Sequence, residues 1–275
     1  MVEETDMKDY KTLRVTQEGN VVTVRLHRPE TRNAINMQMV YDLKDVVDIL
    51  TDASDVAVMV LRGSEGVFSR GIDLNDFTLD KPPDIYGLQH WEKMCRQIER
   101  LNKYTVAVVE GECIGGGLQL VLLCDARIAE RKAVFQLPEV KLGFLPGMAT
   151  FRLAKYIGLG RAKNFVLTGK TLKAEEALSW GILDEVYDPV DLDKVLQQKI
   201  DKLLPLHQEV LELARRLLLE SYASEYEDFI GGFLAAQHRA IHGEAFRDLL
   251  LKAPAGTKAQ DIFTAKDTPK PSRKK

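Results

Sequence analysis

Apolar and polar residues alternate through TLRVTQEGNVVTVRLHRP, on both sides of Gly19-Asn20, and the pattern predicts a β-hairpin turning at that dipeptide. Asn36 is placed to cap a helix reaching about Leu50, with Val40, Leu43, Val47 and Leu50 on one face. DVAVMVLRG is a short, nearly unbroken apolar run of the kind buried on both faces of a sheet, and Gly63 ends it. VFSRGIDL reads as a turn. A second helix is expected from Asp84 to Leu101, with Ile85, Leu88, Cys95, Ile98 and Leu101 facing inward. TVAVVEG is another buried strand and runs straight into a glycine turn, while ARIAE and AVFQLPEV read as short strands or extended segments.

From Gly147 to about Leu251 the period becomes helical, with breaks at Gly158-Leu159-Gly160, Gly169-Lys170, Gly181 and Pro205. Strands alternating with helices and then helices alone predict an α/β core with crossovers followed by a helical region. No internal repeat is visible.

Composition narrows the function classes. The chain has 275 residues, 45% hydrophobic and 29% charged, with a net charge of −3, which gives no reason to expect a nucleic-acid or anionic-membrane partner. No apolar run reaches the roughly 18 residues a membrane span needs. The polar, acidic start MVEETDMKDY resembles neither a secretory signal nor a basic transit peptide, so a cytoplasmic location is expected. Cys95, Cys113 and Cys124 have no paired spacing and are expected as buried, reduced thiols. The basic, proline-containing end TAKDTPKPSRKK is expected to be a disordered tail.

The chemistry gathers in GECIGGGLQLVLLCDARIAE. Glycines let a backbone turn sharply and let another group approach it closely, and N–H groups at a helix start lack partners. Such a turn suits a phosphate or a developing oxyanion, or serves packing alone. The spacing is not the dinucleotide-binding GxGxxG, and no GK[ST] follows. GVFSRGIDL also follows a buried strand and carries Gly71, so each of two turns can offer one N–H to the same carbonyl oxygen.

At these residues the sequence resembles the crotonase (enoyl-CoA hydratase/isomerase) superfamily, from about Tyr10 to Val186. RPETRNAIN, FSRGIDL, GECIGGGLQLVLLCDARIA, FQLPEVKLGFLPGMATFRLAKYIG and LTGKTLKAEEALSWGILDEV resemble its motifs, in order. The resemblance implies an α/β crotonase fold, a spiral of ββα units with a C-terminal helical region. It implies a core over 10–190 and helices over 191–252 that trimerise and close the pocket, with the basic tail over 253–275. It further implies a trimer or hexamer acting on an acyl thioester of coenzyme A or a carrier protein, with coenzyme A part of the substrate and no separate cofactor or metal. The N–H groups of Ile72 and Gly116, beside Gly115, would hold the thioester enolate, one such donor being worth about 3 kcal/mol in the transition state. Arg28 and Ala34 lie where the family meets coenzyme A, although Arg28 also reads as a solvated surface arginine.

Hydratases of the family use two glutamates. The one in the PE pair is present as Glu139, while Gln119 stands where the other belongs. An amide orients water but exchanges no proton in the needed range. A single glutamate still suffices to move a double bond from position 3 to position 2 of an acyl thioester, so isomerisation is favoured over hydration. Glu139 could instead be structural, capping a turn or paired with Lys141. Dienoyl isomerases and some dehalogenases carry an aspartate eight residues after the PE glutamate, where this chain has Gly147. Decarboxylating relatives use polar residues from the helix after the first turn, where Tyr86 and His90 share a face, and an inward Arg70 would bind a substrate carboxylate; surface positions are the alternative for all three. His238 and His242 have metal-ligand spacing without a third ligand. A non-catalytic partner protein of this fold remains the reading from another class.

Overall fold

The computed structural model describes residues 5–6, 8–76 and 85–252. Its elements run β1 (Thr5–Asp6), β2 (Leu13–Glu18), β3 (Val21–Leu26), α1 (Met37–Asp52), β4 (Val58–Arg62), α2 (Ile85–Glu99), β5 (Tyr104–Val109), β6 (Glu112–Ile114), α3 (Gly116–Val121), β7 (Ala126–Glu130), β8 (Val134–Gln136), α4 (Ala149–Thr168), β9 (Thr171–Lys173), α5 (Ala174–Trp180), β10 (Glu185–Tyr187), α6 (Leu192–Leu203), α7 (Gln208–Glu220), α8 (Tyr226–His242) and α9 (Glu244–Lys252). The expected hairpin is β2–β3, and the Asn36 side chain accepts the Met39 N–H to cap α1, whose Val40, Leu43, Val47 and Leu50 are all buried.

Seven strands form one sheet in the order β1-β2-β3-β4-β5-β7-β10, antiparallel through β3 and parallel from β3 onward. The unbroken apolar run of β4 follows from burial on both faces. Met59 and Leu61 enter the core beneath α1 and α2, while Val58 and Val60 join Leu192, Leu196 and Ile200 of α6 on the other side. A small second sheet, β6-β8-β9, stands beside the glycine turn. Contacts divide the chain into two units, Met1–Leu206 and His207–Lys275, so α6 falls within the first, beyond the boundary expected at 190. In the second unit α8 packs with both α7 and α9, and Arg239 pairs with Glu209 at 2.6 Å.

Three expectations change. Within α2, Cys95 and Ile98 are buried, as is Leu101 just beyond it, but Ile85 and Leu88 are exposed, because the core lies only under the later turns of this helix; Asp84 lies outside the described residues. Helices alone do not fill the chain after Gly147: β9 and β10 are strands of three residues, too short to imprint a period of two, and β10 completes the edge of the main sheet. The break at Gly158 is a kink inside α4. The basic tail over 253–275 lies outside the described residues. All three cysteines are buried and form no disulfide.

The loop after β3 is pinned by Asn33, which is fully buried with φ of +55°. Its Oδ1 accepts from the Arg28 N–H at 3.0 Å and the Ser64 hydroxyl at 3.1 Å, and its Nδ2 donates to the carbonyls of Ser64 at 3.0 Å and Val67 at 2.7 Å. Asparagine is among the residues that tolerate this left-handed conformation, and here every side-chain polar atom is satisfied. Asn33→Ala should cost about 3 kcal/mol in urea-induced unfolding, because it leaves buried donors and acceptors without partners.

Candidate active site

The segment Phe68–Asp73 is held between the early loop and the glycine turn rather than forming a free turn. Ser69 donates its N–H to the Glu112 carbonyl at 2.9 Å and accepts the Ile114 N–H at 2.9 Å, which docks the segment on β6. On its other side the Ile35 N–H donates to the Gly71 carbonyl at 2.7 Å and the Asp73 N–H to the Ile35 carbonyl at 2.9 Å. The buried Ser69 hydroxyl donates to the Asn33 carbonyl and accepts the Gly71 N–H. This arrangement leaves the Ile72 N–H with no acceptor among the described residues, and Gly116, the first residue of α3, likewise has none. A Cβ built on Gly116 would lie 3.8 Å from the Ile72 nitrogen, 3.2 Å from Ile35 Cδ1 and 3.7 Å from the Trp91 ring. Two unpaired donors therefore stand side by side in an apolar surround.

Glu139 opens a 3-10 turn, Glu139–Leu142, and is 3% exposed. Its carboxylate lies against the glycine turn: a Cβ on Gly115, whose φ is +54°, would come within 2.7 Å of Glu139 Oε1 and 3.8 Å of the Gly71 Cα. Glu139 Oε2 is buried without a hydrogen-bond partner. Lys141, a possible partner in the sequence, instead donates to the Gly169 carbonyl at 2.7 Å. Burial pushes the Glu139 carboxyl above its ordinary value of 4.5, opposed by one backbone hydrogen bond.

Gln119 sits on α3, 5% exposed, and its Oε1 is also buried without a partner. A Cβ at Gly147, whose φ is +47°, would lie 2.8 Å from Gln119 Oε1 and 3.1 Å from Glu92 Oε1. The ends of both side chains thus converge on the open face of Gly147, and the positive φ there favours glycine. Buried polar atoms almost always find partners, yet Glu139 Oε2 has none beside the glycine turn and Gln119 Oε1 has none on α3, the helix that Gly116 opens.

Other expected site residues lie elsewhere. Tyr86 is 67% exposed, and the exposed His90 hydrogen-bonds the Tyr86 carbonyl at 2.7 Å and meets the Tyr41 ring edge-on. Arg70 is exposed rather than turned into the buried site. Arg28 is not a solvated arginine: it donates to Asp73 at 2.8 Å and to the Ala34 carbonyl at 2.6 Å, bracing the loop that carries Ile72. Burial alone would raise the Asp73 carboxyl, but the Arg28 and Asn75 hydrogen bonds and the Arg28 charge hold it below the ordinary range. Ala34, 8% exposed, therefore spends its carbonyl inside the chain. The rings of His238 and His242 stack on α8, and among the described residues no group of three His, Cys, Asp or Glu side chains could hold a metal. No helix among them is long and apolar enough to cross a membrane.

Sequence reasoning passed over Trp91 and Glu92. Both lie three or four residues before the buried Cys95, on its face of α2. Counting back from Cys95 would have found them; Tyr86 and His90 fall on other faces.

A sequence model of the enoyl-CoA hydratase/isomerase family matches residues 16–230. The chain belongs to that family. It is 31% identical over 207 residues to a short-chain-enoyl-CoA hydratase of Clostridium acetobutylicum, covering 74% of this chain and 78% of that one. It is 35% identical over 191 residues to an enoyl-CoA isomerase/hydratase of Mycosarcoma maydis, covering 66% and 70%. The crystal structure of an enoyl-CoA hydratase from Thermoplasma volcanium GSS1 superposes with a TM-score of 0.80 at 28% identity, over 88% of this chain and 96% of that one. The α/β architecture with its helical C-terminal region is thus the crotonase fold, as the sequence motifs implied.

Two stability changes are expected. Gly115→Ala should cost about 1–3 kcal/mol in urea unfolding, because a φ of +54° with a ψ of −119° is a conformation that residues with a Cβ rarely adopt. Glu139 has its folded-state pKa raised, so its contribution to stability is lost as pH rises through that value. Glu139→Gln should therefore unfold at higher urea than the parent at pH 7.5, with the gain shrinking as pH falls toward the ordinary glutamate value.

Proposed function

We propose that this protein is an enzyme of acyl thioesters, acting on an enoyl-CoA and moving its double bond from position 3 to position 2. The observation that carries the reading is the Glu139 carboxyl, buried with one oxygen unpartnered, beside the unpaired N–H groups of Ile72 and Gly116. In this reading the two N–H groups hold the thioester oxygen. Glu139 takes a proton from C2, the electron pair spreads into a dienolate, and the same carboxyl returns the proton at C4. The raised Glu139 pKa suits a group that must hold a proton between the two steps.

Gln119 is the reason to prefer isomerisation, since an amide is no second acid. The relatives' names include hydratases as well as an isomerase/hydratase, and hydration is the second reading, favoured by the carboxylate of Glu92 beside Gln119. Decarboxylation relied on Tyr86, His90 and Arg70, and their exposure removes its support. A non-catalytic partner protein would have no chemical need to bury an unpaired carboxylate at a cost in stability.

Incubated with a 3-enoyl-CoA in heavy water, the protein should form a conjugated 2-enoyl-CoA of unchanged formula apart from deuterium, as read by mass spectrometry. Glu139→Gln should slow this about 10²–10⁴-fold. The parent rate should fall on acidification along a limb lying above pH 4.5, the ordinary value for the group. A full rate without Glu139, or no reaction of any enoyl-CoA, would overturn the reading.

A further inference from the structure

Glu92 is a carboxylate that the isomerisation leaves without a role. It projects from α2 on the face of Cys95, and its side chain is 30% exposed, so it is neither sealed in the core nor free on the surface. Both of its oxygens accept long hydrogen bonds, Oε1 from the Met148 N–H at 3.3 Å and Oε2 from Nη1 of the buried Arg152 at 3.4 Å. Arg152 is also paired with Glu99 at 3.2 Å. The Arg152 cation holds the Glu92 carboxylate on this side of the helix through one long hydrogen bond, and each carboxylate oxygen keeps a further lone pair.

The second observation comes from a different element. The Gln119 amide, on α3, is 5% exposed, and its Oε1 has no donor. From the point where a Gly147 side chain would begin, Gln119 Oε1 is 2.8 Å away, Gln119 Nε2 3.4 Å and Glu92 Oε1 3.1 Å. The amide and the carboxylate thus address one common point, three residues along α3 from the Gly116 N–H.

We propose that Glu92 is the second carboxylate of this active site, supplied from α2 in place of the one that α3 lacks, and that with Gln119 it holds and deprotonates the water for hydration of a 2-enoyl thioester. The inference rests on the proposed thioester chemistry. In the hydration, Gln119 orients the water and Glu92 takes one of its protons as the oxygen bonds to C3. The C2=C3 electron pair moves into the thioester carbonyl, whose oxygen the Ile72 and Gly116 N–H groups hold. Protonated Glu139 then gives its proton to C2. Glu92 ends protonated and Glu139 ionised, and proton exchange with solvent restores both. The division of labour makes the protein one site with two outcomes: Glu139 alone shifts the double bond, and Glu139 with Glu92 adds water.

The test follows both reactions by mass spectrometry in one protein, hydration of a 2-enoyl-CoA and isomerisation of a 3-enoyl-CoA. The parent is expected to do both. Glu92→Gln, which keeps shape and removes the charge, should lower the ratio of hydration to isomerisation at least tenfold. Adding Gln119→Glu in that background, which returns a carboxylate to the same point, should recover most of the ratio. A merely structural Glu92 would depress both reactions together, and an unmoved ratio overturns the proposal. So does a parent that isomerises, dependent on Glu139, but never hydrates; in that case the proposed function stands and the role of Glu92 falls. A parent that does neither overturns both. Should Glu92→Gln fold poorly, Glu92→Asp gives the same ratio test through a shortened carboxylate.

Discussion

The backbone around Gly71 passes so close to the glycine turn that a Cβ at 71 would lie 2.9 Å from the Ile114 carbonyl oxygen and 3.4 Å from the Gly116 nitrogen. Two chain segments meet there main chain to main chain, with no side chain between them. The contact is fixed by the ladder between Ser69 and β6 on one side and between Ile35 and Asp73 on the other. Those hydrogen bonds use the neighbouring N–H groups and leave those of Ile72 and Gly116 unspent. The same crossing that closes the fold therefore produces the two donors, and neither can be moved without breaking the other's support.

Charge is distributed around this crossing in two manners. Arg28 and Asp73 neutralise one another at 2.8 Å and hold the loop in place, and the hydrogen bonds keep Asp73 ionised in spite of its burial. Glu139 has no such partner. Its carboxyl is buried beside backbone and apolar groups, and desolvation shifts it toward the protonated form. One carboxylate is spent on structure and the other is buried with an oxygen left unpartnered, the kind of perturbed group that clusters at functional sites.

Helix α2 shows where reading the sequence fell short. Chemistry drew attention to Tyr86 and His90, a phenol and an imidazole at helical spacing, yet Tyr86 lies on the opposite side of the helix from Cys95 and His90 is also off its face. Trp91 and Glu92, which reach the glycine turn and the open face of Gly147, carried no motif. Apolar spacing extended the inward face to Ile85 and Leu88, but periodicity records only which residues share a face and not how far the core reaches beneath it. The three-residue strands β9 and β10 escaped for a related reason, since pairing with existing strands defines them and no period fits in three residues.

The sequence by itself determined the hairpin, the capped helix α1, the two strands buried on both faces and the two glycine turns, because each is specified by residues adjacent in the chain. It also determined that a carboxylate, Glu139, stands in the PE pair and that an amide, Gln119, follows the glycine run. Tertiary structure alone decided that Arg28 braces Asp73, that Asn33 binds the early loop to Ser64 and Val67, and that the ends of Glu92 and Gln119 converge on the open face of Gly147. Each of those contacts joins residues from elements distant along the chain, and their distances are set by how α2, α3 and the loops pack on the sheet, a quantity that local spacing does not contain.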